Sequence, residues 1–192
     1  MKYIYLAGIG NSGSEHWQRQ WYDNTPNALW LEHDNWQEPD CQRWLSELVT
    51  ALSAVSEPFV IIAHSLGCVL FTEWAAHNDS DYLVAAFLVA LPDTLGVNFP
   101  PQAIGFQNRK SRLTGFASLV VASTNDPYGI VEQVRQFTLA MGSSLREVGA
   151  CGHINGQSNL GYWPAGQALL VELLKSDAVS ENIKYISPAT VS

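Results

Sequence analysis

The stretch Phe59-Val60-Ile61-Ile62-Ala63-His64-Ser65-Leu66-Gly67-Cys68-Val69-Leu70 decides how the rest of the chain is read. Its first five residues are apolar and rich in β-branched side chains, the signature of a strand buried on both faces. A serine and a glycine then interrupt the run, and an apolar helical pattern continues to about Asn78. Strand, sharp turn, helix is the context in which a small-x-Ser-x-Gly pattern has mechanical meaning. The turn lifts the serine hydroxyl to the C-terminal edge of the sheet, and the start of the helix aims free N–H groups at whatever the hydroxyl attacks. Ala63 and Gly67 supply the small residues, on the expectation that such an elbow brings the positions two before and two after the serine together. The pattern alone arises by chance from composition; the strand before it and the helix after it give it weight.

Outward from this element, strand and helix patterns alternate. Residues 2–9, 28–32, 83–90 and 118–123 read as further strands, and 144–148 as a weaker one. Cys41, Trp44, Leu45, Leu48, Val49 and Leu52 fall on one helical face, as do Ile130, Val131, Val134, Phe137 and Met141 before Gly142. Leu169, Leu170, Leu173 and Leu174 make a last stripe. This alternation predicts an α/β architecture: a doubly wound, mostly parallel sheet with helices on both faces. Residues 1–175 are expected to form one domain. Within it, 91–116, rich in proline and glycine, form a loop or small cap, and 176–192 form a polar, frayed tail.

A serine hydroxyl is a weak nucleophile until a base takes its proton, so a histidine must reach Ser65. His64 neighbours Ser65 on the strand and points to the opposite face. His16, His33 and His77 lie in helical or strand-end contexts. His153 lies in Gly149-Ala150-Cys151-Gly152-His153-Ile154-Asn155-Gly156, between the last strand and the last helix, where a doubly wound sheet presents side chains at its C-terminal edge. An acid to orient that histidine should precede it in the chain, and both Asp93 and Asp126 end strands between Ser65 and His153. Asp126, before Pro127, also suits a helix N-cap.

An oxyanion needs two backbone donors. Leu66 N–H supplies one, and Ile9, Gly10 or Asn11 in the loop after the first strand supplies the other. Gly8, Gly10 and Gly13 also match G-x-G-x-x-G, but bulky Trp17 and Trp21 follow, and only Glu32 or Asp34 stands near the expected ribose partner. A dinucleotide site is therefore disfavoured. His16, Trp17 and Trp163 are expected around the pocket.

Composition excludes other classes. A net charge of −8 with 10 lysines and arginines leaves no basic stripe for nucleic acid or an anionic membrane surface. No stretch approaches the roughly 20 apolar residues of a membrane span. Cys41, Cys68 and Cys151 have neither metal spacing nor disulfide density, so reduced thiols, no metal, no cofactor and a cytoplasmic location are expected.

These residues together resemble the small serine hydrolases grouped with the retinoblastoma-binding serine hydrolase and its bacterial relatives. The resemblance covers about the first 175 residues. It rests on Gly8, His16-Trp17, Trp36, Pro39, Trp44, Ala63-His64-Ser65-Leu66-Gly67-Cys68, Pro92-Asp93, Ser123 with Asn125-Asp126-Pro127-Tyr128, and Gly152-His153-Ile154-Asn155 leading to Trp163-Pro164. It implies a minimal α/β-hydrolase fold without a large lid, a Ser65–Asp126–His153 triad, and hydrolysis of a small ester or amide in the manner of a carboxylesterase, amidase or peptidase. A binding module that kept the fold without turnover is the alternative. Retinoblastoma binding is not implied, because the L-x-C-x-E motif would need Glu where Leu66-Gly67-Cys68-Val69-Leu70 has Leu70. Asn159 and Ala165 stand where a glycine and an acidic residue are expected.

Overall fold

The computed structural model describes residues 1–107, 113–177, 179, 180 and 183. Its strands β1 (Lys2–Leu6), β2 (Ala28–Trp30), β3 (Phe59–His64), β4 (Leu83–Val89), β5 (Ala117–Ala122) and β6 (Ser144–Glu147) pair in parallel as one sheet, in the order β2-β1-β3-β4-β5-β6. Helix α1 (Trp17–Asn24) follows β1, α2 (Cys41–Ser53) follows β2, α3 (Leu66–Ala75) follows β3, α4 (Val131–Met141) follows β5 and α5 (Pro164–Leu174) follows β6. Two core clusters lie on opposite sides of the sheet, and the strand period of two assigns residues to them. Ile4, Leu6, Phe59, Ile61, Ala63, Ala86, Leu88, Val120 and Ala122 pack under α2, α3 and α4. Tyr5, Ala7, Val60, Ile62, Phe87, Val89, Leu119 and Val121 pack under α1 and α5. The sheet is thus covered on both faces: a minimal α/β-hydrolase fold.

The helices form where the sequence periodicity placed them. The buried residues of α2 are Cys41, Trp44, Leu48 and Leu52, four positions of the predicted stripe, and the Asp40 side chain accepts from Arg43 N–H to cap it. Gly142 ends α4 in the left-handed conformation at φ 72°, which glycine adopts without the steric cost of a Cβ.

Several local expectations are corrected. β1 stops at Leu6 rather than Ile9, because the chain turns away from the sheet and Asn11 N–H closes onto Gly8 O at 3.1 Å. Asp126 is not the cap of α4: that helix starts at Val131 with Ile130 before it, and the Asp126 carboxylate instead accepts Tyr128 N–H at 2.9 Å in a local turn. The 91–116 connection carries no helix or strand among its described residues. It is the expected loop: Phe106 is buried in it and packs edge-on against Trp44 of α2, while Pro92, Phe99 and Pro100 reach the sheet edge beside Ser65. Residues 108–112 of the expected cap lie outside the described residues, as does most of the 176–192 tail. Val179 of that tail is fully buried on the α1/α5 side.

β1 and β3 are adjacent, but the chain leaves β1 toward β2 on one side and continues from β3 toward β4 on the other. At such a switch point the loops after the two strands diverge and open a crevice at the strand C-termini. The residues that follow β1 and β3 are Ala7-Gly8-Ile9 and Ser65.

Candidate active site

Ser65 occupies the junction of β3 and α3 with φ 53° and ψ −122°, a conformation that non-glycine residues rarely adopt. Its N–H donates to Val89 O at 2.9 Å, so β4 holds the turn from beside it. The need for a small residue at 67 has a different origin from the one expected. The nearest atoms to a Cβ placed on Gly67 are Leu6 O at 2.3 Å and Ala7 O at 2.8 Å, so it is the β1 backbone, not Ala63, that crowds it. Gly8 is also constrained, though less tightly, since its Cβ would fall 2.9 Å from Ser65 Cβ. That close approach, rather than a dinucleotide, accounts for the glycine.

The Ser65 hydroxyl donates to His153 Nε2 at 2.7 Å, and His153 Nδ1 lies 2.9 Å from both Asp126 carboxylate oxygens. A carboxylate only accepts, so Nδ1 carries the imidazole proton and Nε2 offers its lone pair to the serine. The two loops involved are tied to each other. Cys151 N–H donates to Ser123 Oγ, Ser123 Oγ–H to Asn125 Oδ1, Gly152 N–H to the same Oδ1 at 2.7 Å, and Thr124 N–H to Gly149 O. Ser123 and Asn125 thus hold the histidine loop against the acid loop. Asp93 has other work: its carboxylate accepts Leu95 N–H at 3.0 Å and its own N–H donates to Tyr128 O. The structure brings Ser65, His153 and Asp126 together and leaves Asp93 as the support of the loop after β4.

Around Ser65 lies a cavity of about 210 Å³. One wall is apolar, from Ile9, Pro92, Phe99, Pro100 and Tyr128; the other is polar, from Asn11, His16, His64 and Asn155. Tyr128 packs on the His153 ring with centroids 4.6 Å apart. Of the residues expected at the pocket, His16 lines it. Trp17 and Trp163 do not: both are buried in the α1/α5 core, where they pack against each other at 5.1 Å and against Trp21. Their indoles are too large to leave exposed when a hydrophobic layer is available beneath the site. Phe99, Tyr128 and Asn155 were not singled out from the sequence as pocket residues, because nothing local marks which loop residues turn inward. Gln18 was also missed. It is fully buried and donates to Leu6 O and Ile62 O, bridging the C-terminal ends of β1 and β3 directly below the crevice.

The donors near Ser65 also sort themselves. Gly10 N–H is taken by Trp36 O at 2.8 Å and Asn11 N–H by Gly8 O, whereas Ile9 and Leu66 N–H carry no protein acceptor among the described residues. Trp36, whose ring packs against His33 and Trp44, therefore anchors the first loop through its carbonyl. The polar wall is uncharged. Burial, with the neighbouring His153 adding to it, pulls His16 down to about 4, and burial holds His64 well below the ordinary histidine range. His16 also caps α1, its Nδ1 accepting Gln18 N–H at 3.1 Å. Among the described residues no cluster of three or more His, Cys, Asp or Glu could hold a metal ion, and no helix is long and apolar enough to cross a membrane.

This geometry can be set beside known proteins. A YdeN-like hydrolase from Pectobacterium atrosepticum superposes with a TM-score of 0.79 at 26% identity, covering 90% of this chain and 89% of that one. The ydeN gene product of B. subtilis gives 0.75 at 20% identity, over 92% and 100%. Thermogutta terrifontis esterase 2, in a structure phosphonylated by cyclosarin, gives 0.66 at 15% identity, over 90% and 81%. The last two likenesses speak to the fold. No curated protein matches the sequence. The family model described as serine hydrolase matches residues 3–172, from the first strand into the last helix and across Ser65, Asp126 and His153, so the chain belongs to the serine hydrolase family.

Proposed function

We propose that this hydrolase cleaves a small ester or amide through an acyl-enzyme on Ser65. The observation that carries the reading is the 2.7 Å hydrogen bond from Ser65 Oγ to a His153 ring whose other nitrogen is held by Asp126. His153 Nε2 takes the hydroxyl proton as Oγ bonds to the acyl carbon, and returns it to the leaving group as the old bond breaks. A water then gives a proton to Nε2 as its oxygen bonds to the acyl carbon; the Oγ–acyl bond breaks, Nε2 returns the proton to Oγ, and the acid leaves. Ile9 and Leu66 N–H are the pair left to stabilise the oxyanion of each tetrahedral intermediate. Burial of Trp17, Trp21 and Trp163 removes the exposed aromatic surface that a turnover-free binding module would use. A fluorophosphonate probe is expected to label the wild type at Ser65 and to leave Ser65→Ala unlabelled; folded wild type that takes no label overturns the reading.

The cavity also bears on chain length. Its roughly 210 Å³ lies below the range of about 300–1,000 Å³ usual for drug-sized ligands, and no helix overlies it among the described residues. Each further buried CH₂ is worth about 0.8 kcal/mol, so kcat/KM should climb several-fold per carbon only until the apolar wall ends. Acetyl to hexanoyl esters are expected to be preferred, with lauroyl and palmitoyl esters poor. A series of 4-nitrophenyl esters tests this, and a steady rise through the lauroyl ester would contradict it.

A further inference from the structure

The loop that carries His153 is held in an unusual conformation. Gly152 has φ 58° and Ile154 has φ 48°. For a β-branched residue this is a backbone outlier, and it persists only where the surroundings over-determine it. Ile154 is fully buried and cannot relax toward solvent. The N–H groups before His153, those of Cys151 and Gly152, are bound by the acid loop through Ser123 and Asn125. The carbonyls of His153 and Ile154 are bound from the opposite side by two ring donors. His64 Nε2–H donates to His153 O at 3.0 Å, and Trp17 Nε1–H donates to Ile154 O at 2.7 Å.

We propose that His64 and Trp17 form a positioning clamp: their ring N–H groups fix the consecutive carbonyls of His153 and Ile154 and so set the His153 imidazole against Ser65. The inference rests on the acyl-enzyme reading above. His64 is the last residue of β3 and directly precedes Ser65, so nucleophile and base take their positions from one strand. Its side chain falls on the α1 side because Val60, Ile62 and His64 alternate to that face, where the Trp17 ring lies 6.1 Å away. The His153 carbonyl can only accept, so Nε2 of His64 carries its proton. Burial keeps that ring neutral, leaving it a fixed donor and not a second base. No other element supplies this restraint on the carbonyl side of the loop among the described residues.

A small displacement of a catalytic group, about 1 Å, can cost on the order of 100-fold in rate. His64→Leu, which fills the space without a donor, is expected to lower kcat for 4-nitrophenyl acetate by about 30- to 100-fold with KM changed less than about threefold. His64→Gln, which keeps an N–H of similar reach, should recover to within about fivefold of wild type. Trp17→Phe keeps the ring packing and removes only the N–H, and should lower kcat about tenfold. The downfield proton resonance of the His153 Nδ1–H to Asp126 hydrogen bond should weaken in His64→Leu and Trp17→Phe and persist in His64→Gln. The clamp is overturned if folded His64→Leu or Trp17→Phe keeps wild-type kcat and resonance, or if His64→Gln is as impaired as His64→Leu. If His64→Leu does not fold, Trp17→Phe decides the matter alone. The resonance reports the position of His153 whether or not Ser65 turns over. A wild type that resists the fluorophosphonate probe therefore removes the acyl-enzyme reading, whereas an unaltered resonance in the variants removes the clamp.

Discussion

Exchanging Asp126 for asparagine is expected to lower kcat for an activated ester by about 10³- to 10⁴-fold, while Asp93→Asn keeps it within about threefold. The asymmetry follows from where the two carboxylates are spent. Both oxygens of Asp126 lie 2.9 Å from His153 Nδ1, so they hold the tautomer that leaves Nε2 free to accept from Ser65. An asparagine amide can donate to Nδ1 and so favour the opposite tautomer, with the proton on the nitrogen that should accept. His153→Ala removes the base outright and should cost at least about 100-fold. Asp93 accepts Leu95 N–H within its own loop, and asparagine does this as well as aspartate, so activity and melting temperature should both hold. Steady-state kinetics of the three variants, with circular dichroism to establish folding, make the comparison. Equal losses in Asp93→Asn and Asp126→Asn would overturn the assignment of the acid.

The second large effect is on folding. Gly67→Ala places a methyl group 2.3 Å from Leu6 O and 2.8 Å from Ala7 O, distances that Cβ atoms do not occupy. The atoms in the way are backbone at the end of β1 and just beyond it, where Leu6 pairs with Ala63 of β3, so no flexible side chain can swing aside. Relief requires α3 to lift from the sheet, and α3 carries Val69, Leu70, Phe71 and Trp74 into the core. A destabilisation of about 3 kcal/mol or more is expected, equivalent to roughly 6–12 °C in Tm for a chain of this size. Gly13→Ala is the control, because no atom lies within 4 Å of its Cβ. Thermal melts of both variants, followed by far-ultraviolet circular dichroism, are the measurement; a Gly67→Ala protein that melts within 2 °C of wild type, as Gly13→Ala should, would show that the β1–α3 approach is softer than described (about 1 kcal/mol or less).

Much of this architecture was legible because it depends on near neighbours in the chain. The run from Phe59 to Ala63 can only be buried on both faces, and the stripe from Cys41 to Leu52 can only be one side of a helix. The order of elements makes a parallel sheet, and a parallel sheet presents its functional loops at its C-terminal edge. Ser65 and His153 were therefore visible as a pair although 88 residues separate them. Spacing favoured Asp126 without excluding Asp93, since both end strands on the correct edge; the resemblance favoured Asp126 further.

What escaped the sequence depends on distances between segments remote in the chain. Trp17 stands beside His16 and was assigned to the pocket, yet a helix turns successive side chains about 100° apart, and only packing against Trp21 and Trp163 shows that the indole goes inward. Gly10 and Asn11 were equal to Ile9 as oxyanion donors until the Trp36 carbonyl and the Gly8 carbonyl claimed their N–H groups. Asn159 stands in place of an expected glycine because its φ of 52° is left-handed, a conformation that asparagine tolerates. By itself, then, the sequence determined the sheet and its helices and pointed to Ser65 and His153 as the proposed nucleophile and base, because steric periodicity and chain order act over a few residues at a time. The tertiary structure decided which acid faces His153, which N–H groups stay free and which rings hold the loop, because each depends on through-space contacts of a few ångströms between residues that the chain sets tens of positions apart.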